Sequence, residues 1–132
     1  MPTKITLKEV AARLDPFTRA YINCALWATT DNSNEQGGEA LDKNYDIGDI
    51  AGSCLMQMVR DCRSFRHEAG DLLMESGLSN ERAGQDFWLT RERHGAGYWD
   101  EGIGEIGQKL TDLAHGYGEF PLYVHKGKIH GG

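Results

Sequence analysis

The sequence predicts a single α+β domain in which about three helices pack on a small, mostly antiparallel β-sheet. Its 132 residues suit one ordinary domain with a real core. Apolar residues recur at helical spacing through much of residues 16–75, whereas β-prone aromatic pairs and glycine-containing links follow Gly77. No repeat or low-complexity tract divides the chain, so we expect one domain over residues 1–132.

The first well-defined helix is predicted from about Pro16 to Thr29. Asp15 provides a cap residue before a proline that suits the first helical turn, and residues 6–9 have the form of an earlier capping box. The apolar positions form a wide stripe: Phe17, Ala20, Tyr21, Ile22, Cys24, Ala25, Leu26, Trp27 and Ala28. So little of the segment is polar that we expect it to be the central core helix.

Two further helices follow from the same spacing of apolar residues. One is predicted from about Asp49 to Glu75, with Gly70 as a candidate break point. Its other side carries a basic row, which consists of Arg60, Arg63 and His67. The other helix runs from Ile103 to Gly116, where the glycine predicts a left-handed C-cap.

Four short segments predict strands. Residues 87–90 and 98–99 are aromatic and β-prone, and the glycines of residues 95–97 between them favour an antiparallel pair. Residues 122–125 and 128–130 flank Lys126-Gly127, which predicts a closing hairpin.

Residues 86–107 are the most unusual part of the chain. They hold two of the three tryptophans and five of the seventeen glycines. Glycine permits tight turns and close approach, while tryptophan supplies apolar area. We therefore expect this block to determine folding, with Trp88 and Trp99 largely buried.

Charge and composition exclude several classes of function. The net charge is −6, and residues 31–49 form an acidic loop with six carboxylates and one lysine. Nucleic-acid binding requires clustered Lys and Arg, so direct binding is not expected. No apolar run approaches the roughly 18 residues of a membrane span, and residues 1–6 lack the apolar core of a secretory signal.

The three cysteines suit no disulfide framework and are predicted to be reduced core thiols.

Five motifs carry a resemblance to a known group of proteins. They are Tyr21-Ile-Asn-Cys-Ala-Leu-Trp27, Leu41-Asp-Lys-Asn-Tyr-Asp46, Asp86-Phe-Trp-Leu-Thr-Arg91, His94-Gly-Ala-Gly-Tyr-Trp-Asp100 and Leu122-Tyr-Val124. Together they resemble a family of small proteins encoded by tailed bacteriophages and prophages. The resemblance implies a phage origin and a location in the host cytoplasm, but no activity. The chain departs from that pattern at Gln85, where a histidine is expected, and at Lys126, where relatives favour aspartate.

One group of residues is a candidate for chemistry. His94 and Asp100 could form a general base held by a carboxylate, and Arg91 and Arg93 could bind an anion together with the basic row. This pattern suggests a small enzyme or a nucleotide-binding protein. The alternative is structural: a hydrogen bond between His94 and Asp100 across a hairpin, and arginines on a solvated face that offset the acidic loop.

The sequence predicts no metal or cofactor. Residues 42–49 resemble the opening of a calcium loop, but Gly48 comes one position late and Ser53 replaces the bidentate glutamate. A turn that caps a helix at Asp49 explains the same residues. Cysteine and histidine spacings suit no zinc site, and His125 and His130 lie on opposite arms of a hairpin.

Three classes of function therefore remain. The chain is predicted first to be an accessory factor that binds a host or phage protein, second a small enzyme, and third a virion-associated component, with homo-oligomers possible. The partner contact is expected at the acidic carboxylates Asp31, Glu35 and Glu39, or on the face formed by Arg91, Arg93, His94, Tyr98 and Trp99. Leu41, Tyr45, Ile47 and Ile50 are expected to anchor the second half of the loop. The alternative is a solvated linker.

Overall fold

A computed structural model describes residues 13–31 and 38–132 of the chain. These ranges contain five α-helices and two small antiparallel sheets of two strands each. The helices are α1 (Pro16–Ala28), α2 (Gly52–Glu68), α3 (Gly70–Ser76), α4 (Asn80–Arg91) and α5 (Glu105–His115). The strands are β1 (Thr30–Asp31), β2 (Glu39–Ala40), β3 (Leu122–His125) and β4 (Lys128–Gly131). The capping box predicted at residues 6–9 lies outside the described residues, within which no helix is long and apolar enough to span a membrane.

The α+β class is confirmed, but the architecture of three helices on one sheet is wrong. The helices pack mainly on one another, and each sheet is a separate two-stranded hairpin. Helix α1 ends one residue before its predicted limit, and the long second helix divides at Ala69, next to the predicted break point Gly70, into α2 and α3.

The strand pair predicted at residues 87–90 and 98–99 is also wrong. Residues 87–90 belong to α4, whose start is capped by the Ser79 hydroxyl, which accepts from the Arg82 amide at 3.1 Å. Residues 98–99 lie in a 3₁₀ turn at Tyr98–Asp100. Phe87, Trp88 and Tyr98 are buried, but burial against a core is available to a helix as well as to a strand.

The two predicted glycine turns have different outcomes. The hairpin of β3 and β4 is confirmed, and both Lys126 and Gly127 have positive φ, at 51° and 75°, as a tight hairpin turn requires. The left-handed C-cap at Gly116 is wrong because its φ is −62°. The left-handed residue is Gly118, with a φ of 72°.

Stacked aromatic rings form the centre of the core. The Phe65 and Phe87 rings lie 4.1 Å apart between centroids and only 10° from parallel, which joins α2 to α4. Phe17, Tyr21, Trp88, Tyr98 and Tyr117 surround them. All three cysteines are buried, as predicted, and burial raises the pKa of Cys24 and of Cys54 to about 11.

The most extensive contact between two helices of the described residues joins α1 to α4, and Gly84 lies within it. A Cβ atom at Gly84 would overlap the backbone carbonyl oxygen of Phe17. Only a residue without a side chain lets the two backbones approach so closely.

Replacing Gly84 with alanine should therefore destabilise the protein by about 1 to 3 kcal/mol, because the backbone of α1 must move away. Gly70→Ala is the matched control, since a Cβ there meets nothing within 4 Å, and its effect should stay within about 1 kcal/mol. Urea denaturation measures both. Equal stability of the two variants would show that α1 and α4 can separate without cost.

Candidate functional site

Of the residues predicted to form a site, Arg91 makes the most hydrogen bonds through its side chain. Its guanidinium donates at 2.9 Å to the Tyr21 hydroxyl, the Asp61 carboxylate and the Gly118 carbonyl, and at 3.2 Å to the Tyr117 carbonyl. It is only 2% exposed. The interpretation of Arg91 as part of an exposed anion site or a solvated face is therefore corrected: a ligand cannot reach it without opening the core.

The remaining candidate residues do not come together. Arg93 and His94 are exposed, whereas Tyr98 is buried and donates its hydroxyl proton to the Ala83 carbonyl at 2.6 Å. Asp100 accepts from the Gly97 amide at 2.9 Å, and no hydrogen bond joins it to His94 in the part of the chain that the structure describes. Neither the catalytic pair nor its structural alternative across a hairpin is formed.

The two tryptophans of residues 86–107 have opposite environments. Trp88 is 2% exposed, as predicted, but Trp99 is 53% exposed, so the prediction that it is buried is wrong. The 3₁₀ turn explains the difference, because it directs Tyr98 into the core and the next side chain toward solvent. Trp99 therefore forms part of the protein surface and does not contribute to the core.

The second half of the acidic loop is anchored as predicted. Leu41 and Ile50 are buried, and Tyr45 and Ile47 pack against the core. Two short 3₁₀ helices, Leu41–Lys43 and Ile47–Asp49, connect these anchors.

Hydrogen bonds among its own residues explain the turn at residues 46–49. Asp46 accepts from the Gly48 amide at 2.8 Å, and Asp49 accepts from the Asp46 amide at 2.9 Å. The predicted cap at Asp49 therefore closes a 3₁₀ turn, and α2 begins only at Gly52.

The acids predicted to meet a partner are not one exposed cluster. Asp31 is buried, which corrects its assignment to an exposed negative surface. Glu39 is exposed and accepts from Lys43 and Asn44 at 3.4 and 3.2 Å. Glu35 lies outside the described residues. The part of the acidic loop that can meet a partner within the described ranges is therefore the segment that follows β2.

That segment forms one wall of a groove that the sequence did not predict. We call this groove the α1 groove. It is defined by Asn23 and Trp27 of α1, Gln85 and Leu89 of α4, and Asp42 of the anchored loop. Together with Cys24, these residues line an open cavity of about 420 Å³. Cavities of about 480 and 350 Å³ adjoin it and share the side chain of Asn23. The groove thus lies between α1, α4 and the anchored loop.

Trp27 is the most unusual residue of the α1 groove. Its side chain is 67% exposed, although the apolar stripe of the sequence placed it in the core. Arg19, Asn23 and Trp27 are spaced by four residues and all are exposed, so they share one face of α1. This spacing was the signal that could have identified Trp27, because it places the indole in line with two polar residues.

A second cluster, formed by Asp86, Glu101 and Arg82, lies at the contact of α4 with the 3₁₀ turn. Arg82 donates to both Glu101 oxygens at 2.9 and 2.8 Å, which lowers the pKa of Glu101. Asp86 is buried, and burial together with the neighbouring Glu101 carboxylate raises the pKa of Asp86 to about 7. Its Oδ2 atom has no hydrogen-bond partner among the described residues. The carboxyl group is therefore best accommodated as the neutral acid.

Comparisons with known proteins add no functional assignment. No family model, curated protein or solved structure matches this chain. Within residues 13–31 and 38–132, no three His, Cys, Asp or Glu side chains come close enough to hold a metal ion. Evidence for function therefore comes from the arrangement of the side chains themselves.

We expect Arg91→Ala to lower the free energy of unfolding by about 3 to 5 kcal/mol, because it leaves Asp61 without its buried partner. Arg63→Ala removes an equal charge from an exposed position and should change stability by about 0.5 kcal/mol or less. Urea denaturation at neutral pH compares the two. Equal small effects would mean that the Arg91 guanidinium is solvated in solution.

Asp86 should make stability depend on pH. An unfolded aspartate loses its proton near pH 4, whereas the folded one keeps it until about pH 7. Folding therefore becomes less favourable as pH rises through this window, by at most about 1.4 kcal/mol per pH unit. Asp86→Asn removes this loss, so its stability relative to wild type should rise from about pH 4 to pH 7 and then level.

Urea denaturation at several pH values tests this expectation. The control is Asp71→Asn, which changes an exposed carboxylate and should show no such trend. A constant difference between Asp86→Asn and wild type across the window would show that Asp86 is ionised throughout.

Proposed function

We propose that this protein is a phage-encoded accessory factor that acts in the host cytoplasm by binding a host or phage protein, and that the α1 groove is its docking surface. The observation that carries the proposal is the exposed indole of Trp27 beside a cavity. A large aromatic ring gains most when a partner covers it, and tryptophan is enriched at the energetic centres of protein interfaces. The phage origin and the cytoplasmic location rest on the resemblance of the sequence motifs.

The α1 groove has polar groups suited to recognition. The side chains of Asn23, Gln85 and Asp42 are exposed and make no hydrogen bonds to other described groups. A protein partner can pair with these donors and acceptors while it covers Trp27. An apolar anchor with a polar rim is the usual composition of an interface.

The alternative of a small enzyme or nucleotide-binding protein has less support. Arg91 is buried, and His94 and Asp100 are not hydrogen-bonded to each other. Cys24 lines the groove, but its pKa of about 11 keeps the thiol protonated at neutral pH and therefore weakly nucleophilic.

No observation specifically favours the virion-associated alternative. Large exposed apolar side chains occur on five different elements: Trp27, Met56, Met74, Trp99 and Tyr123. Of these, Trp27 combines exposure with a cavity and with unpaired polar groups.

Affinity capture from cells of the bacterial host tests the docking surface. A protein recovered with wild type should fall at least tenfold with Trp27→Ala, because the anchor of the interface is lost. Trp99→Ala is the matched control, since it also removes an exposed indole, and it should retain the partner. Mass spectrometry quantifies recovery, and circular dichroism verifies that both variants fold.

Two results would contradict the proposal. Loss of the partner with Trp99→Ala alone would move the docking surface to the 3₁₀ turn at Tyr98–Asp100. Concentration-dependent self-association that Trp27→Ala abolishes would identify the groove as an interface between copies of this chain, and sedimentation analysis would detect it.

A further inference from the structure

The charges that line the α1 groove and its adjoining cavities are mostly negative. Asp42, Asp46 and Glu81 contribute carboxylates, and Arg19 contributes the opposing charge. Arg19 lines the cavity near Leu14, and it is not among the residues that line the cavity beside Trp27. Asp42 is the charged residue in the lining of that central cavity.

The negative charge of Asp42 is not neutralised by a near neighbour. In the described ranges, Asp42 makes no ion pair or hydrogen bond through its carboxylate. The adjacent Lys43 instead contacts Glu39 at 3.4 Å. Asp46 differs, because one of its oxygens is occupied by the Gly48 amide. Asp42 therefore keeps its hydrogen-bonding capacity for an external group.

Trp27 and Asp42 line the same cavity and attract the same kind of ligand. The face of an indole ring attracts cations, and a carboxylate forms its strongest hydrogen bonds with charged donors. The amide oxygens of Asn23 and Gln85 can accept further N–H groups at the same place. An anionic group would instead be repelled by Asp42. The lining therefore matches a guanidinium or ammonium group on a flexible stem.

We infer that the α1 groove binds a cationic side chain, arginine or lysine, of the protein partner, with the cation between the Trp27 ring and the Asp42 carboxylate. This inference rests on the proposed docking function and specifies the chemistry that the partner must present. The apolar stem of such a side chain packs against Leu89 and the indole, while its charged end reaches the polar groups.

A pair of synthetic peptides tests this charge preference directly. One is an acetylated, amidated nonapeptide with a single arginine between two leucines, and the other replaces that arginine with citrulline, which has nearly the same shape but no charge. Titrations are monitored through the indole N–H resonance of Trp27 and the side-chain amide resonances of Asn23 and Gln85. The arginine peptide should bind at least tenfold more tightly, and added salt should reduce this difference.

Variants locate the charge that is responsible. Asp42→Asn should remove the preference for arginine over citrulline, whereas Glu75→Gln, which neutralises an exposed carboxylate on α3, should retain it. Equal binding of the two peptides to wild type, or no binding of either at millimolar concentration, would overturn the inference. The inference would also be overturned if maltotriose, a neutral sugar, shifted these resonances and the peptides did not.

The capture experiment separates this inference from the docking proposal. If Trp27→Ala loses the partner and Asp42→Asn keeps it, the groove docks a protein but not through a cation. If both variants keep the partner, the docking proposal fails, and the peptide titration still decides whether the groove prefers a cation. Loss of the partner with both variants, together with the arginine preference, supports both.

Discussion

The buried guanidinium of Arg91 is the interaction on which the arrangement of helices depends. It lies at the end of α4 and bonds to Tyr21 of α1, Asp61 of α2 and the backbone of residues 117–118. Removing a charge from water is costly unless its hydrogen bonds are made, so each of these elements is constrained to lie where it can provide an acceptor. Aromatic rings of Phe87, Tyr117 and Phe120 surround the cation and exclude water from it.

This constraint also explains why the α1 groove exists. Arg91 fixes the end of α4 against α1, and Gly84 brings the two backbones together about two turns earlier. Helices that cross so closely leave a furrow between their outer faces, where Asn23 and Trp27 lie beside Gln85 and Leu89. The anchored loop closes the third side with Asp42. The groove is therefore a consequence of the way in which α1, α4 and the anchored loop pack together.

Two local signals predicted local structure correctly, whereas the strand signals at residues 87–90 and 98–99 were wrong and contacts distant in sequence were not predictable. Asp15 and Pro16 identified the start of α1, and Lys126-Gly127 identified the final hairpin. The partners of Arg91 lie between 26 and 70 residues away, so no spacing rule could show that it is buried. The aromatic residues of α4 indicated burial but not conformation, because a ring packs equally well from a strand or a helix. Trp27 was misassigned because the wide apolar stripe of α1 outweighed its alignment with the polar residues Arg19 and Asn23.

The proposed docking function agrees with the places where this protein holds its titratable groups of shifted pKa. Enzymes concentrate groups with shifted pKa values in their clefts, where protons or nucleophiles are needed. Here the pKa of Asp86 is raised and that of Glu101 is lowered at the contact of α4 with the 3₁₀ turn, and neither residue lines the α1 groove. Cys24 does line the groove, but its raised pKa of about 11 keeps the thiol neutral. The groove instead presents an indole, two amides and one carboxylate that no described neighbour neutralises. Such groups can select a ligand by charge and shape, but they offer no paired acid and base with which to transform it.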